Sequence, residues 1–129
     1  MPRQPRTHLR SLAVLACAAV VALLALGSSA GAQPTAHAAR SCSPPKYPGL
    51  GYFTSLEVSH VTCATGRKVT VAHYRCRTRH GRSGRCTSKV LGYSCTEGHR
   101  NSIPTEYTAR VTCKSGTRKV VYTYQQNTG

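Results

Sequence analysis

The stretch CATGRKVTVAHYRC (Cys63 to Cys76) decides the fold class, because it can form either a strand or a helix. As a strand, KVTVAHY (Lys68 to Tyr74) alternates polar with apolar residues and is rich in β-branched residues. As a helix, it places small and apolar residues on one face at three- and four-residue steps: Cys63, Gly66, Val69, Ala72 or His73, and Cys76. Thr62 can cap such a helix. Propensity favours the strand because several residues are poor helix formers: Gly66, Val69, Thr70 and Val71.

Outside this stretch, four segments carry strand patterns. They are Tyr52 to Thr62, Ser88 to Glu97, Thr105 to Cys113 and Thr117 to Gln126. In the first, polar and apolar residues alternate, and the alternation shifts by one residue near Ser55, which indicates a bulge. The short Gly-containing segment from Lys114 to Thr117 joins the last two and predicts a hairpin. In the third, one face is predicted to carry Tyr107, Ala109, Val111 and Cys113.

The N-terminal 32 residues have the composition of a secretory signal peptide: three arginines, an apolar run from Leu12 to Leu26, and small residues with an A-x-A site. Cleavage is expected after residue 32 or, at a second A-x-A, after residue 38. Residues 33–50 are rich in proline and predict a linker or extended arm. Residues 51–126 form the predicted domain, in a secreted, extracellular protein without a transmembrane segment after processing.

Charge is strongly unbalanced, with 18 Lys and Arg against three acids in the whole chain. Removing Arg3, Arg6 and Arg10 with the leader leaves 15 basic residues and three glutamates, a net charge of +12. A field of this sign attracts nucleic acid, anionic wall polymers or anionic lipid. The same charge would also serve solubility alone, and composition does not separate the two interpretations.

Six cysteines remain once Cys17 is removed with the leader: Cys42, Cys63, Cys76, Cys86, Cys95 and Cys113. An even number in a short exported chain predicts a disulfide framework, for which about 15 connectivities exist. Structural zinc sites favour closely spaced cysteine pairs, and the sequence has no C-x-x-C. We therefore predict disulfides, no metal site and no cofactor.

Four motifs together resemble a family of small exported cysteine-containing proteins from high-GC actinobacteria, which has no known function. They are V-T-C-x-x-G-x-x-V (Val61 to Val69), V-L-G-Y-S-C (Val90 to Cys95), A-R-V-T-C-x-x-G (Ala109 to Gly116) and K-V-V-Y-T-Y (Lys119 to Tyr124). The resemblance covers about residues 50 to 125. It implies an α+β fold in which one helix, starting at Cys63, packs on a small antiparallel sheet of about four strands. A single helix covering one sheet face also gives so small a domain its core.

This expected fold constrains the bridges and the packing of the helix. Cys76 and Cys86 are ten residues apart with two glycines between them, and they are the preferred pair. Cys63 is expected to meet Cys95 or Cys113 on the sheet, and Cys42 to take the other. The packed helix face is expected to contain Gly66, Val69 and His73, with Arg67, Lys68 and Arg75 in solvent.

Catalytic motifs are weak in this sequence, and we predict that the protein is not an enzyme. It has no G-x-S-x-G and no Asp to orient a histidine. A secreted nuclease remains an alternative, since its residue types are present without a distinctive spacing: Glu57, His60, His73, His99, Glu106 and Arg110. The strand tyrosines could stack bases or form cross-strand pairs, and we favour the pairs: Tyr93, Tyr107, Tyr122 and Tyr124.

The run RCRTRHGRSGRC (Arg75 to Cys86) is the densest basic segment and contains the candidate anion-binding residues: Arg75, Arg77, Arg79, Arg82 and Arg85. The sequence therefore predicts a monomeric, basic, secreted protein that binds an anionic polymer or cell-envelope component. The alternatives are the nuclease-like hydrolase and a cationic effector or inhibitor.

Overall fold

A computed structural model describes residues 38–129, which form one helix and six strands. The predicted signal peptide and the beginning of the predicted arm lie outside these residues. In chain order the elements are β1 (Arg40–Ser41), β2 (Gly51–Ser59), α1 (Cys63–Thr78), β3 (Ser94–Glu97), β4 (Asn101–Ile103), β5 (Glu106–Ser115) and β6 (Arg118–Asn127). The α+β class is confirmed, whereas the predicted number of about four strands is too low.

All the strands belong to one antiparallel sheet in the order β1-β2-β6-β5-β3, and β4 also pairs with β5. Strands β3 and β4 therefore share one edge of β5: Ser94–Glu97 lies along its C-terminal half and Asn101–Ile103 along its N-terminal half. The two missed strands, β1 and β4, have only two and three residues. Segments this short carry too little alternation for a sequence pattern to identify them.

Several local predictions are confirmed along the sheet. The register of β2 against β6 shifts between Phe53 and Ser55, which is the bulge predicted near Ser55. Strands β5 and β6 form the predicted hairpin, and Gly116 takes the positive φ of 59° that its tight turn requires. The predicted strand from Ser88 is wrong in extent, because the chain pairs with β5 only from Ser94 and makes a turn at residues 90–93.

The Cys63–Thr78 segment is a helix despite its poor propensity, because its surroundings favour one. The Thr62 side chain caps the first turn by accepting a hydrogen bond from the Thr65 backbone N–H at 3.1 Å. Disulfides hold the helix at Cys63 and at Cys76. Packing and covalent constraints of this kind outweigh the fraction of a kcal/mol per residue that separates helix propensities.

Helix α1 packs closely on one face of the sheet. A Cβ added at Gly66 would lie only 2.5 Å from Cγ1 of Val58, so the glycine is what lets the helix approach β2. Val69 and His73 are buried on the same helix face, as predicted. The core they enter is formed by side chains from the sheet and the preceding arm: Tyr47, Phe53, Leu56, Val58, Tyr107, Ala109, Val111, Cys113, Val120, Tyr122 and Tyr124.

Three disulfides join Cys42 to Cys63, Cys76 to Cys86, and Cys95 to Cys113. The second is the pair preferred from the sequence. The expectation that Cys63 bonds to Cys95 or Cys113 is wrong, and so is the pairing left for Cys42. The physical reason is the sheet register: Cys95 and Cys113 lie directly opposite each other on β3 and β5. Strand β1 lies along β2, and Cys42 donates its backbone N–H to Leu56, which brings Cys42 to the helix start.

Candidate functional site

The five candidate arginines of the basic run lie in three different environments. Arg75 and Arg79 are exposed on the helix and just beyond its end. Arg82 and Arg85 are also exposed, but each has a partner: Arg82 donates to the Gly129 carbonyl at 2.9 Å, and Arg85 forms an ion pair at 3.2 Å with Glu97. Arg77 is only 1 % exposed, so it is not available for binding at the surface.

Arg77 is the centre of a buried polar cluster. Its Nη1 donates to the Tyr107 hydroxyl at 2.6 Å and to the Arg82 carbonyl at 2.8 Å. Its Nη2 donates to the Tyr47 hydroxyl at 2.9 Å and to Oε1 of Gln126 at 3.1 Å. We call Tyr47, Arg77, Tyr107 and Gln126 the Arg77 cluster. It ties together the arm, the helix, the last two strands and the loop at residues 79–86, which we call the basic loop.

The Arg77 cluster solvates a buried cation with neutral dipoles rather than with a carboxylate. The guanidinium carbon of Arg77 also lies 4.3 Å from the centroid of the Tyr124 ring, a distance suited to a cation–π contact. Burial raises the pKa of Tyr47 to about 12, although the charge of Arg77 acts in the opposite direction. Burial likewise raises the pKa of Tyr124, so both hydroxyls stay neutral at physiological pH.

Sequence reasoning missed the burial of Arg77 because it treated the basic run as a loop. The helix continues to Thr78, and Arg77 lies four residues beyond His73 on the packed face. The signal was available, since the small and apolar steps from Gly66 to His73 continue to position 77. The charge of the side chain obscured this signal, because an arginine is rarely expected in a core.

Glu97 anchors the other side of the basic loop. Its side chain is 6 % exposed and accepts hydrogen bonds from Arg85, Arg100 and the Tyr124 hydroxyl. Burial by itself would raise the pKa of Glu97, but the hydrogen bond and charge of Arg100 outweigh it and lower the pKa. Arg100 also donates to the carbonyls of Ser83 and Gly84, at 2.7 and 2.8 Å, and so holds the loop in place.

The three glutamates all lie on strands, and each has a partner there. Glu97 is on β3, as described; Glu57 on β2 pairs with Arg110 at 3.6 Å; and Glu106 on β5 accepts from the Gln125 side-chain amide. Across residues 38–129, the cations of the outer helix face and the adjoining loop form no ion pair: Arg67, Lys68, Arg75, Arg79 and Lys89. The outer face of the helix is therefore positive without compensation.

Two adjoining depressions form an open groove on this positive face. The larger, of about 450 Å³, lies between the arm and the helix, and the smaller, of about 280 Å³, lies beside it along the helix end. We call the pair the helix groove. Val71, Ala72 and Leu91 form its mostly apolar floor and wall. Its rim is basic and carries Arg67, Lys68, Arg75, Arg79 and Lys89.

The residues considered for a nuclease do not form one site. His73 is 1 % exposed, and its Nδ1 lies 2.5 Å from the Tyr122 hydroxyl. Burial lowers the pKa of His73 to about 4, so the ring is neutral in the folded protein; nearby Glu97 acts in the opposite direction. Glu57 and Arg110 do meet, but on the sheet face opposite to this histidine. His60 and His99 are exposed outside the strands.

The four tyrosines considered for base stacking are core residues. Tyr93, Tyr107, Tyr122 and Tyr124 are all at most 4 % exposed, which excludes them as a platform for stacking bases. The rings of Tyr107 and Tyr124 pack edge to face at 5.9 Å across β5 and β6. They are diagonal neighbours, because the residue directly opposite Tyr107 is Gln126.

The part of the chain that the structure describes contains no cluster of three or more metal-ligating side chains. Its single helix is neither long nor apolar enough to cross a bilayer. Comparisons with protein-family models, with curated proteins and with solved structures found no match to this chain. The function must therefore be inferred from the groove and its charges.

Proposed function

We propose that this protein is a secreted, non-enzymatic binding protein whose basic helix face recognises an anionic extracellular or cell-envelope partner. The observation that carries the proposal is the separation of charge. The glutamates are all engaged on the sheet, while the cations that line the helix groove form no ion pair within residues 38–129. Such a one-sided field steers an anion towards the groove.

The disulfides support the same proposal by keeping this face rigid. Cys42–Cys63 and Cys76–Cys86 hold the two ends of the helix, and the second bridge closes the basic loop. Charges on a rigid scaffold lose little conformational entropy on binding. A three-disulfide framework of this kind is typical of small secreted domains.

Salt-dependent retention on immobilised heparin, a polyanion, tests the proposal. Retention should weaken steeply between about 50 and about 200 mM salt, because each neutralised anionic group releases counterions. The variant Arg75→Ser/Arg79→Ser should elute at clearly lower salt than the parent protein. Both side chains are exposed, so their loss leaves the Arg77 cluster intact.

The matched control is Lys114→Ser/Lys119→Ser, which removes the same charge from the hairpin on the sheet. It should elute close to the parent protein. Equal losses in the two variants would show that only net charge matters, and would contradict a binding site on the helix. Retention that does not change with salt would contradict electrostatic binding altogether.

A further inference from the structure

We infer that the helix groove selects an acidic polypeptide segment carrying bulky apolar side chains, rather than a polyanion in general. This inference rests on the proposed function and names its class of partner. Binding of an anion alone would not require the apolar floor of the groove. The larger depression is lined mainly by apolar atoms, and its apolar lining residues include Val71, Ala72 and Leu91.

Leu91 is an unusual residue for its position. It is 63 % exposed, and its φ is +49°, a left-handed conformation that non-glycine residues rarely adopt. Leu91 and Gly92, both with positive φ, are the central residues of a tight turn that is closed by hydrogen bonds between Val90 and Tyr93. Such turns favour Asn, Asp or Gly at these positions.

The turn is held by its neighbours and not by Leu91. Val90 and Tyr93 are 7 % and 2 % exposed, so burial on each side dictates the path of the backbone. A leucine at this position costs stability and contributes no core packing in return. Backbone strain of this kind, maintained by the surroundings, is often a feature of binding sites. Its effect here is to present an apolar side chain at the wall of a basic groove.

The charges around the groove determine the sign of the partner. The helix contributes Arg67, Lys68 and Arg75 to the lining of the groove, and the segment just before the turn contributes Lys89. A complementary ligand therefore carries carboxylates on both sides of an apolar side chain. A polypeptide in which Glu or Asp alternates with large apolar residues meets this description.

Other occupants match the groove less well. Bases of a nucleic acid stack on aromatic rings, and none of the residues among 38–129 that line the groove is aromatic. A membrane surface is bound by a helix with a broad exposed apolar face, whereas α1 contributes to the larger depression only Val71 and Ala72 as apolar side chains, and both are half-buried. The chain's own N-terminal segment carries Arg3, Arg6 and Arg10 and has the same sign of charge, and so does a second copy of the protein.

Two fluorescent peptides of equal length and charge test the inference, one alternating Glu with Leu and the other alternating Glu with Ser. The oxidised protein should bind the Glu-Leu peptide about tenfold more tightly, the gain expected from burying one leucine side chain. The decisive variant is Leu91→Asn, because Asn tolerates the left-handed backbone. It should unfold no more easily than the parent protein and still lose most of the preference.

The control is Leu50→Asn, a matched change at a leucine that is 54 % exposed outside the groove. It should keep the full preference. If both peptides bind equally, or if Leu91→Asn keeps the preference, the apolar selection is refuted while the proposed anion binding stands. If neither peptide binds at low salt but the protein is still retained on heparin, the inference fails and the proposed function stands; if heparin retention is absent too, the proposed function fails as well. Tighter binding of an oligonucleotide of equal charge, unaffected by Leu91→Asn, would also overturn the inference.

Discussion

The Arg77 cluster and the helix groove are built from the same basic run but have opposite surroundings. Arg75 and Arg79 are exposed at the groove, whereas Arg77 between them is enclosed by hydroxyl, amide and carbonyl oxygens. The helix produces this difference, since residues two positions apart lie on different faces. Counting arginines in the sequence therefore overstates the charge available to a partner and misses a residue that holds the fold together.

Replacing Arg77 tests its role in holding the fold together and should have the largest effect on stability. Arg77→Met removes a cation and leaves the buried hydroxyl oxygens of Tyr47 and Tyr107 without the donor they accept from, while Oε1 of Gln126 keeps its hydrogen bond from the Tyr47 hydroxyl. We expect a loss of about 3–5 kcal/mol in the free energy of unfolding, measured by chemical denaturation. Arg79→Met is the matched control and should change it by less than about 0.5 kcal/mol. Equal effects would mean that the two arginines do not differ in role.

Acidification should also lower the free energy of unfolding, because it favours protonation of the buried His73. The pKa of His73 is about 4 in the folded protein against 6.5 ordinarily, so between these values the unfolded chain binds more protons. The stability that depends on a neutral His73 is complete above about pH 6.5, falls as the pH drops, and is lost by about pH 4. The shift corresponds to about 3 kcal/mol.

Denaturation midpoints measured across this pH range check the acid effect. Glu97 adds a loss of the same sign at lower pH, because its folded pKa is also lowered. The variant His73→Gln can still bond to the Tyr122 hydroxyl but does not titrate, so its stability should depend less on pH between about 4 and about 6.5. A parent-like slope in that variant would exclude His73 as the source.

The Cys76–Cys86 bridge connects the two regions, because it joins the helix to the end of the basic loop. Removing it by Cys76→Ser/Cys86→Ser should lower the free energy of unfolding by about 2–3 kcal/mol, the entropy of closing a short loop. The Arg82 carbonyl, which accepts from Arg77 and Tyr107, would then be held less firmly. Thermal unfolding of the oxidised variant and the oxidised parent protein measures the loss, and an unchanged midpoint would contradict it.

Replacing the exposed arginines of the helix groove should change the stability least. Arg75→Ser/Arg79→Ser should leave the free energy of unfolding within about 0.5 kcal/mol of the parent protein, because the two side chains have no charged partner in the part of the chain described. The same variant should elute from heparin at clearly lower salt than the parent protein. If the variant loses stability as well as heparin retention, these arginines support the fold, and the contrast with Arg77 disappears.

The local features of the sheet could be predicted from the sequence. Alternation indicated β2, β5 and β6, the slip near Ser55 indicated the bulge, and the Gly-containing turn indicated the hairpin. The packed helix face was also correct at Gly66, Val69 and His73. These features depend on neighbours in sequence, for which residue type and spacing are sufficient.

Only the tertiary structure decided the features that depend on distant contacts. Propensity alone favoured a strand at residues 63–76, although the resemblance implied the helix, and packing against β2 together with two bridges makes it one. Sheet register placed Cys95 opposite Cys113 and brought Cys42 to Cys63, which no spacing could reveal. The same holds for the binding face. The sequence determined how many arginines the basic run contains, and helix packing decided that Arg77 is buried while Arg75 and Arg79 face solvent.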